Sequence, residues 1–398
     1  MGSSPVLHAP VIEHLELDTY QAFAVSTDRS DYTGERRLRF HLLGLFGEVG
    51  SLLSELKKKQ RDRNSYLAYQ HSTLEETGDV LWYLANVADA LDVKLSLLAA
   101  GLDAPQPLYG RTAAVLHFRD LQGQQSLFES PASGDYVERS LLRVASRVGR
   151  LVRRASDTSE IEIRDMRADL AQLFGALVAA ASDAHISLEL AANSNVTKVL
   201  GRWPLDRKYT PLFDERADAD EQLPRRLQVT FREKSVLGVN YVFQSVGGIN
   251  IGDRLTDNSA DEDDYRFHDV FHLAFAAVLG WSPVLRALLK LKRKSNRELD
   301  EQQDGARAII TEEGISNWVF SHGLRHAAFA EVTMLDFDLL RTIRHMVRGY
   351  EVEICPMWMW EDAILQGFAM FRYLKLHRCG TLVADLEART LTVLGSPT

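Results

Sequence analysis

A group of carboxylates interrupts two successive segments whose apolar residues recur with the period of an α-helix. The first segment contains Glu48, and the second contains Glu76 and Asp79. Carboxylates three residues apart lie on one face of a helix. If the two helices pack as a hairpin, the three carboxylates converge between them. Clustered charges repel one another and are costly to remove from water unless a cation neutralises them.

The identity of the ligands indicates which cation would suit this cluster. Carboxylate oxygens are hard ligands of the kind that Mg²⁺ prefers, and protein-bound Mg²⁺ usually also contacts substrate phosphates. The pattern therefore predicts a helical, metal-dependent enzyme that acts on phosphates, with Mg²⁺ or Mn²⁺ as cofactor. The alternative is that Glu48 and Glu55 are exposed charges near Lys57–Lys59, and that Glu75 and Glu76 favour the dipole of a helix N-terminus.

Composition excludes several classes of protein. The chain has 398 residues, of which 45% are hydrophobic and 25% charged, as in ordinary globular proteins. A net charge of −9 argues against general nucleic-acid binding. The two cysteines, Cys355 and Cys379, do not form a disulfide framework. The segment Met1–Pro10 lacks the features of a secretion signal. The apolar run Leu173–Ala181 is too short to span a membrane. We expect a cytoplasmic protein without membrane partners.

The periodicity predicts a mainly α fold with two domains. Helical patterns cover about 19–100 and 137–204, with a loop-rich connection over Gly101–Asp135. Together they predict an all-α domain over 1–204. The polar, acidic residues 205–224 are interpreted as a linker.

Residues 225–398 have a different pattern, and predict an α+β domain with small β elements. Strands are expected over Leu227–Ile251 and a terminal hairpin after Thr381, with helices between them. The basic run Arg286–Arg297 is interpreted as a solvated helix end, with a phosphate-binding or nucleic-acid-binding patch as the alternative.

The two helical blocks of the first domain resemble each other. Phe46–Leu52 can be aligned with Ala145–Leu151, and Glu76–Trp82 with Met166–Gln172, at nearly equal offsets. In the second copy only Asp169 keeps a carboxylate. Arg147 and Arg150 occupy the positions of Glu48 and Ser51, where they either bind phosphate, which suits arginine, or form a solvated helix face.

Four segments carry a resemblance to a known family. Glu48–Gly50 and Glu75–Leu84 resemble the acidic motifs of the MazG-type all-α nucleoside triphosphate pyrophosphohydrolases, whose signature is Glu-x-x-Glu, a spacer and Glu-x-x-Asp. Asn195–Lys198 and Arg202–Pro204 resemble the segment that closes a MazG unit. The resemblance covers about residues 19–204 and implies a tandem MazG-like domain with a degenerate second repeat.

The resemblance implies hydrolysis of a nucleoside triphosphate to the monophosphate and pyrophosphate, and assembly as a homodimer. Glu48, Glu76 and Asp79 would be the catalytic metal ligands. Substrate-binding candidates are Asn195, Lys198, Arg202, Arg147, Arg150, Trp82 and Asn86, although Trp82 also fits an ordinary core aromatic. Nucleotide-pool cleansing and nucleotide depletion during phage infection are both compatible roles.

The chain departs from the family at Ser51, which stands where the second glutamate is expected. Glu55, one turn further on, is the candidate that would complete the metal site. Loss of one carboxylate weakens metal affinity, so a catalytically degenerate nucleotide-binding regulator is the alternative function.

A second polar cluster lies in the later domain, which resembles the C-terminal domain that accompanies MazG domains. His268 and His272 are one helical turn apart, a spacing that can chelate a metal, and Asp269 lies beside them. Together with Glu312 and Glu313 they form a second candidate site. It is either a metal-dependent phosphohydrolase centre or a buried histidine bonded to a glutamate.

Overall fold

The computed structural model describes residues 14–100, 116–122, 134–157 and 163–395. Most of the connection expected over Gly101–Asp135 lies outside these ranges. The described residues form two compact units, which meet in sequence between Trp203 and Pro204. The expected mainly α fold, with an α+β part in the second half, is confirmed.

The first unit is a helical bundle. Its α-helices within the described residues are α1 (Leu17–Ser26), α2 (Gly34–Asp62), α3 (Tyr69–Ala90), α4 (Leu95–Ala100), α5 (Gly134–Asp157), α6 (Ile163–Asp183) and α7 (Leu188–Arg202). Short 3-10 turns occupy Arg63–Ser65 and Phe118–Leu121.

Apolar residues at helical spacing explain how this bundle packs. Helix α2 buries Leu38, Leu42, Leu45, Val49 and Leu52, which lie on one face because they recur every three or four residues. That face packs against α3 and α5, while α5 pairs with α6 and α3 with α7. The bundle thus contains two helix pairs, α2–α3 and α5–α6, around one shared apolar core.

The second unit is built on a five-stranded antiparallel sheet of order β3-β2-β1-β4-β5. The strands are β1 (Arg226–Val236), β2 (Val239–Val246), β3 (Ile249–Leu255), β4 (Cys379–Asp385) and β5 (Thr390–Val393). The expected terminal hairpin therefore adds its two strands beside β1.

Helices fill the sequence between β3 and β4. They are α8 (Val270–Ala274), α9 (Pro283–Leu289), α10 (Arg297–Gln302), α11 (Ala306–Leu324), α12 (Phe337–Met346) and α13 (Met357–His377). A 3-10 turn at Tyr265–Phe267 precedes α8, and a π-helical turn at Phe275–Leu279 follows it; further 3-10 turns occupy Ala219–Glu221, Ala327–Phe329 and Glu351–Ile354.

Close packing of α13 holds α8 in the core. A Cβ atom at Gly367 would lie 2.7 Å from the ring of Phe271, so only glycine permits this approach. The rings of Phe271 and Phe368 pack edge to face, with centroids 4.8 Å apart. Helix α8 is therefore a rigid support for the polar side chains that it carries.

The segment 205–224 packs onto the second unit and is not a free linker. Leu212 and Leu223 belong to the unit's apolar core. Asp214 is 1% exposed and accepts hydrogen bonds from Arg286 and Arg225, each at 2.7 Å. Its acidic composition suggested solvation, but a buried carboxylate is stabilised here by two arginines.

Within the described residues, no single helix combines the length and the apolar composition needed to cross a membrane.

Candidate metal centres

The acidic cluster of the first unit is assembled from two helices. Glu48 projects from α2, and Glu76 and Asp79 project from α3, one turn apart. One carboxylate oxygen from each lies within 4.8 Å of the others, and all three residues are partly buried. The hairpin that buries the apolar faces of α2 and α3 thus also brings these charges together.

Burial and the charges of neighbouring carboxylates perturb all three carboxyl groups. Burial, followed by the charges of Asp79 and Glu48, raises the pKa of Glu76 to about 8. Burial and the charge of Asp79 also raise the pKa of Glu48. The pKa of Asp79 is raised by burial, although Lys198 opposes the shift. Without a cation, the cluster therefore retains protons at pH values where isolated carboxyl groups are ionised.

Helix α7 supplies the polar partners of Asp79. The ammonium group of Lys198 lies 2.5 Å from Asp79 Oδ2 and 3.0 Å from Glu75 Oε1. The side-chain amide of Asn195 donates to Asp79 Oδ1 at 3.0 Å, and its own oxygen accepts from the Tyr20 hydroxyl at 3.0 Å. Asp79 is thereby held in one orientation.

A glycine permits the close approach of α7 to α3. A Cβ atom at Gly78 would lie 2.7 Å from the carbonyl oxygen of Ala191. Any larger residue would push apart the helices that carry Asp79 and Lys198.

The donor set of the acidic cluster fits magnesium. It consists of oxygen ligands alone, in a partly buried place where burial and neighbouring negative charge raise the pKa of each carboxyl group. A hard divalent cation would relieve that repulsion.

One predicted contributor to this site has other partners. Glu55 is 5% exposed and accepts hydrogen bonds from Lys58, at 2.6 Å, and from the Tyr66 hydroxyl. The carboxylates that converge are those of Glu48, Glu76 and Asp79, and Glu55 is not among them. Ser51 is partly buried on α2. The described cluster therefore offers three carboxylates.

Other candidate substrate-binding residues make structural contacts. The Trp82 indole donates to Thr27 Oγ1 at 3.0 Å. Asn86 is fully buried, donates to the Trp82 carbonyl at 3.0 Å and accepts from Arg37 at 3.3 Å. The guanidinium of Arg202 lies over the ring of Trp203, 4.8 Å from its centroid. These contacts are of the kind that stabilise the bundle.

The second helix pair neutralises its carboxylate with arginine. Asp169 on α6 is 4% exposed and lies 2.6 Å from Arg154 Nε and 3.3 Å from Arg150 Nε, both on α5. Arg147 donates to the side-chain oxygen of Gln172. Two of the arginines thus compensate the buried charge that corresponds to Asp79 in the aligned repeat.

A second group of potential ligands lies at the start of α8. His268, Asp269 and His272 are buried and each offers one ligand atom within 4.8 Å of the others. Glu313 on α11 approaches both rings, with its Oε2 atom 3.7 Å from His268 Nε2 and 3.5 Å from His272 Nε2. Glu312 faces the opposite side of His272 and accepts from Nδ1 at 2.8 Å.

The charges around this group perturb it strongly. Burial lowers the pKa of His272, but the charge of Glu312 and its hydrogen bond raise it well above the ordinary value. Burial raises the pKa of Glu313, but the neighbouring His268 and His272 rings lower it below its usual range.

Sequence reasoning missed several residues that support these sites. Tyr20 orients Asn195, Gln244 on β2 donates to Asp269 Oδ2, and Ser282 donates to Glu312 at 2.7 Å. Each is remote in sequence from the group that it supports, so no local spacing could have indicated it.

Comparison with known proteins gives the class of the second unit. Residues 208–397 match the family model of the MazG C-terminal domain. The matched range contains α8 and α11. This match supports a relation between residues 208–397 and the domain that accompanies MazG domains.

The chain also resembles a phage protein. It is 33% identical over 88 residues to Gene 37 protein of Mycobacterium phage L5, a match that covers 21% of this chain and 77% of that protein. By this similarity the chain belongs to the family of the Gene 37 protein. No solved structure is significantly similar to the chain.

Proposed function

We propose that the first unit is a magnesium-dependent nucleotide pyrophosphohydrolase, which converts a nucleoside triphosphate and water to the monophosphate and pyrophosphate. The observation that carries the proposal is the convergence of Glu48, Glu76 and Asp79, which lie within ligand distance of one another despite their repulsion. The match of residues 208–397 to the MazG C-terminal domain supports the same activity.

The cluster and its neighbours on α7 have different tasks in this proposal. Glu48, Glu76 and Asp79 would hold magnesium, which when bound supplies positive charge to phosphate oxygens and lowers the pKa of a water molecule. Asn195 and Lys198 orient Asp79 through the two contacts described above. The ammonium group of Lys198, partly exposed at 16%, also adds positive charge beside the place where a triphosphate would bind.

The second candidate function is a nucleotide-binding regulator without turnover. Ser51 in place of a fourth carboxylate, together with the engagement of Glu55 by Lys58 and Tyr66, favours it. Fewer carboxylates bind the cation more weakly. The site would then bind a nucleotide but would not stabilise the transition state of its hydrolysis enough for turnover.

The deciding experiment measures pyrophosphate and phosphate release from a panel of nucleoside triphosphates with magnesium. We expect pyrophosphate from the wild type and none from Asp79→Asn, which keeps the shape of the side chain but removes its charge. Asp169→Asn is the matched control, because Asp169 is the aligned residue of the other helix pair and should leave turnover intact.

Two outcomes would contradict the proposal that the first unit is an enzyme. Equal activity in the wild type and Asp79→Asn would place the chemistry elsewhere. Nucleotide binding that Asp79→Asn weakens, with no pyrophosphate from any substrate, would assign the regulator function instead.

A further inference from the structure

The second unit contains a set of four potential ligands that the proposed hydrolase does not use. They are His268 Nε2, Asp269 Oδ1, His272 Nε2 and Glu313 Oε2, contributed by the start of α8 and by α11. We propose that these atoms bind a first-row divalent transition-metal ion, such as Zn²⁺, at a coordination site with one side open to solvent.

The distances between these atoms match a coordination shell. The Nε2 atom of His268 lies 3.1 Å from Asp269 and 3.7 Å from Glu313, and that of His272 lies 3.5 Å from Glu313. Ligands bound tetrahedrally at zinc distances are separated by about 3.3 Å. The two longer separations are outside the range of hydrogen bonds but fit ligands of one ion.

The partners of the two rings direct their Nε2 atoms toward the proposed ion. His268 Nδ1 lies 2.9 Å from the carbonyl oxygen of Tyr265, which can only accept, so Nδ1 carries a proton. His272 Nδ1 lies 2.8 Å from Glu312. In the neutral form of each ring, Nε2 then carries the lone pair that a metal requires.

Buried partners also fix the carboxylates that surround the rings. Glu312 is fully buried and accepts from Ser282 Oγ at 2.7 Å and from the Val284 amide at 2.8 Å, so its oxygens act as acceptors toward His272. Gln244 donates to Asp269 Oδ2, which leaves Oδ1 facing His268. Outer partners of this kind are typical of metal sites, where they set the tautomer and orientation of each ligand.

An unpartnered buried atom independently indicates a ligand. His272 is 1% exposed, and its Nε2 atom makes no hydrogen bond. A buried polar atom without a partner destabilises the folded protein. A metal ion between His272 and Glu313 would satisfy this atom.

The ligand types select the class of metal. Two imidazole nitrogens with two carboxylates favour zinc, iron or a similar ion over magnesium and calcium, which prefer oxygen alone. The Glu313 side chain is 41% exposed, whereas those of His268 and His272 are at most 8% exposed. Solvent therefore reaches the site from the Glu313 side, as in metal sites that keep a position for water or an anion.

The test is titration of the metal-free full-length protein with Co²⁺ and Zn²⁺ in the presence of excess Mg²⁺, which saturates oxygen-only sites. We expect one Co²⁺ per chain at this site, with visible ligand-field absorption that Zn²⁺ abolishes. Inorganic phosphate should shift that absorption by occupying the open position. A spectrum that phosphate leaves unchanged would overturn the open position.

Variants assign the signal to particular residues. His272→Ala should abolish the absorption, and Glu313→Gln should weaken the affinity at least about tenfold. Since Glu313 is half exposed, its variant tests the site without disturbing the core. Asp79→Asn, which alters only the acidic cluster of the first unit, should bind Co²⁺ as the wild type does.

A matched control is available at the end of the helix that carries Glu313. His322 on α11 and His326, two residues beyond its end, form another histidine pair of the same sequence spacing, with ring centroids 4.9 Å apart. His322→Ala should leave the absorption unchanged. The proposal is overturned if the wild type binds no Co²⁺ under these conditions, if Glu313→Gln binds it as tightly as the wild type, or if the signal disappears in His322→Ala.

Discussion

Replacement of Glu76 by glutamine should stabilise the metal-free protein and abolish its proposed activity. Glutamine has the shape of a protonated glutamate and can donate to Glu48 as the protonated group does. It cannot ionise, so it removes the repulsion that Glu76 experiences beside Asp79 and Glu48. It also removes one of the anionic ligands proposed for magnesium.

The expected magnitude follows from the shift in the pKa of Glu76. Its rise from 4.5 to about 8 corresponds to at most about 5 kcal/mol of destabilisation when the group is fully ionised, at about 1.4 kcal/mol per pKa unit. The side chain is partly exposed and shares its repulsion with Glu48, so solvent screening reduces the figure. We expect a gain of about 2 kcal/mol in Glu76→Gln.

The sign of the pH dependence is also determined. Between pH 4.5 and pH 8 the folded wild type holds the Glu76 proton and the unfolded chain releases it. The free energy of unfolding of the wild type therefore falls as pH rises through this window. The difference between wild type and Glu76→Gln should be small below pH 4.5 and fully developed above pH 8.

The assay is hydrogen exchange of α2 and α3 peptides in increasing denaturant, with EDTA, because it reports on the first unit alone. Magnesium at ten times its dissociation constant should then stabilise the wild type by about 1.4 kcal/mol and Glu76→Gln by much less. If Glu76→Gln is no more stable than the wild type above pH 8 in EDTA, the ionised Glu76 is not destabilised by its neighbouring carboxylates and the reasoning is refuted. If magnesium stabilises the wild type and Glu76→Gln equally, Glu76 is not a magnesium ligand.

Three further predictions concern other parts of the structure. Gly78→Ala should cost about 2 kcal/mol and reduce turnover, because its Cβ would meet the Ala191 carbonyl at 2.7 Å; denaturant unfolding and pyrophosphate release measure both. Ser51→Glu should increase pyrophosphate release about tenfold if a fourth carboxylate strengthens the metal site, and an unchanged rate would contradict this. Asp214→Asn should destabilise the second unit by about 3 kcal/mol at neutral pH, because it leaves Arg286 buried beside an uncharged group. Burial raises the pKa of Asp214, but the Leu223 amide and the arginines lower it overall, so this stability is present above pH 3.8 and its loss on acidification should make the variant and wild type converge.

The helical hairpin and its acidic cluster were predictable because both depend on local periodicity. Apolar residues at intervals of three and four defined the buried faces of α2 and α3, and the positions of Glu48, Glu76 and Asp79 on those helices followed. The one-turn spacing of His268 and His272 was visible for the same reason. Local spacing cannot show which distant side chain completes a site, so Gln244 was missed.

Charged residues in polar segments were the main source of error. The basic run after Arg286 was interpreted as a solvated helix end, yet Arg286 and Arg293 are 2% and 1% exposed. Arg293 lies 2.7 Å from Asp304 and 2.7 Å from Glu351. Sequence shows the charge of a residue but not its partner, and a buried guanidinium is tolerated only when carboxylates from elsewhere compensate it.

The two helix pairs of the first unit show why only one of them is a candidate for cation binding. Each pair buries a carboxylate at the aligned position, Asp79 or Asp169, and each must compensate its charge. In α5–α6, Arg150 and Arg154 do so from within the chain, which leaves no net negative charge to attract a cation. In α2–α3, Lys198 is shared between Asp79 and Glu75, so the surrounding carboxylates remain in excess and their pKa values rise. Only the α2–α3 pair therefore has negative charge that the chain itself does not compensate. Relief of the repulsion among these carboxylates would favour the binding of a metal ion.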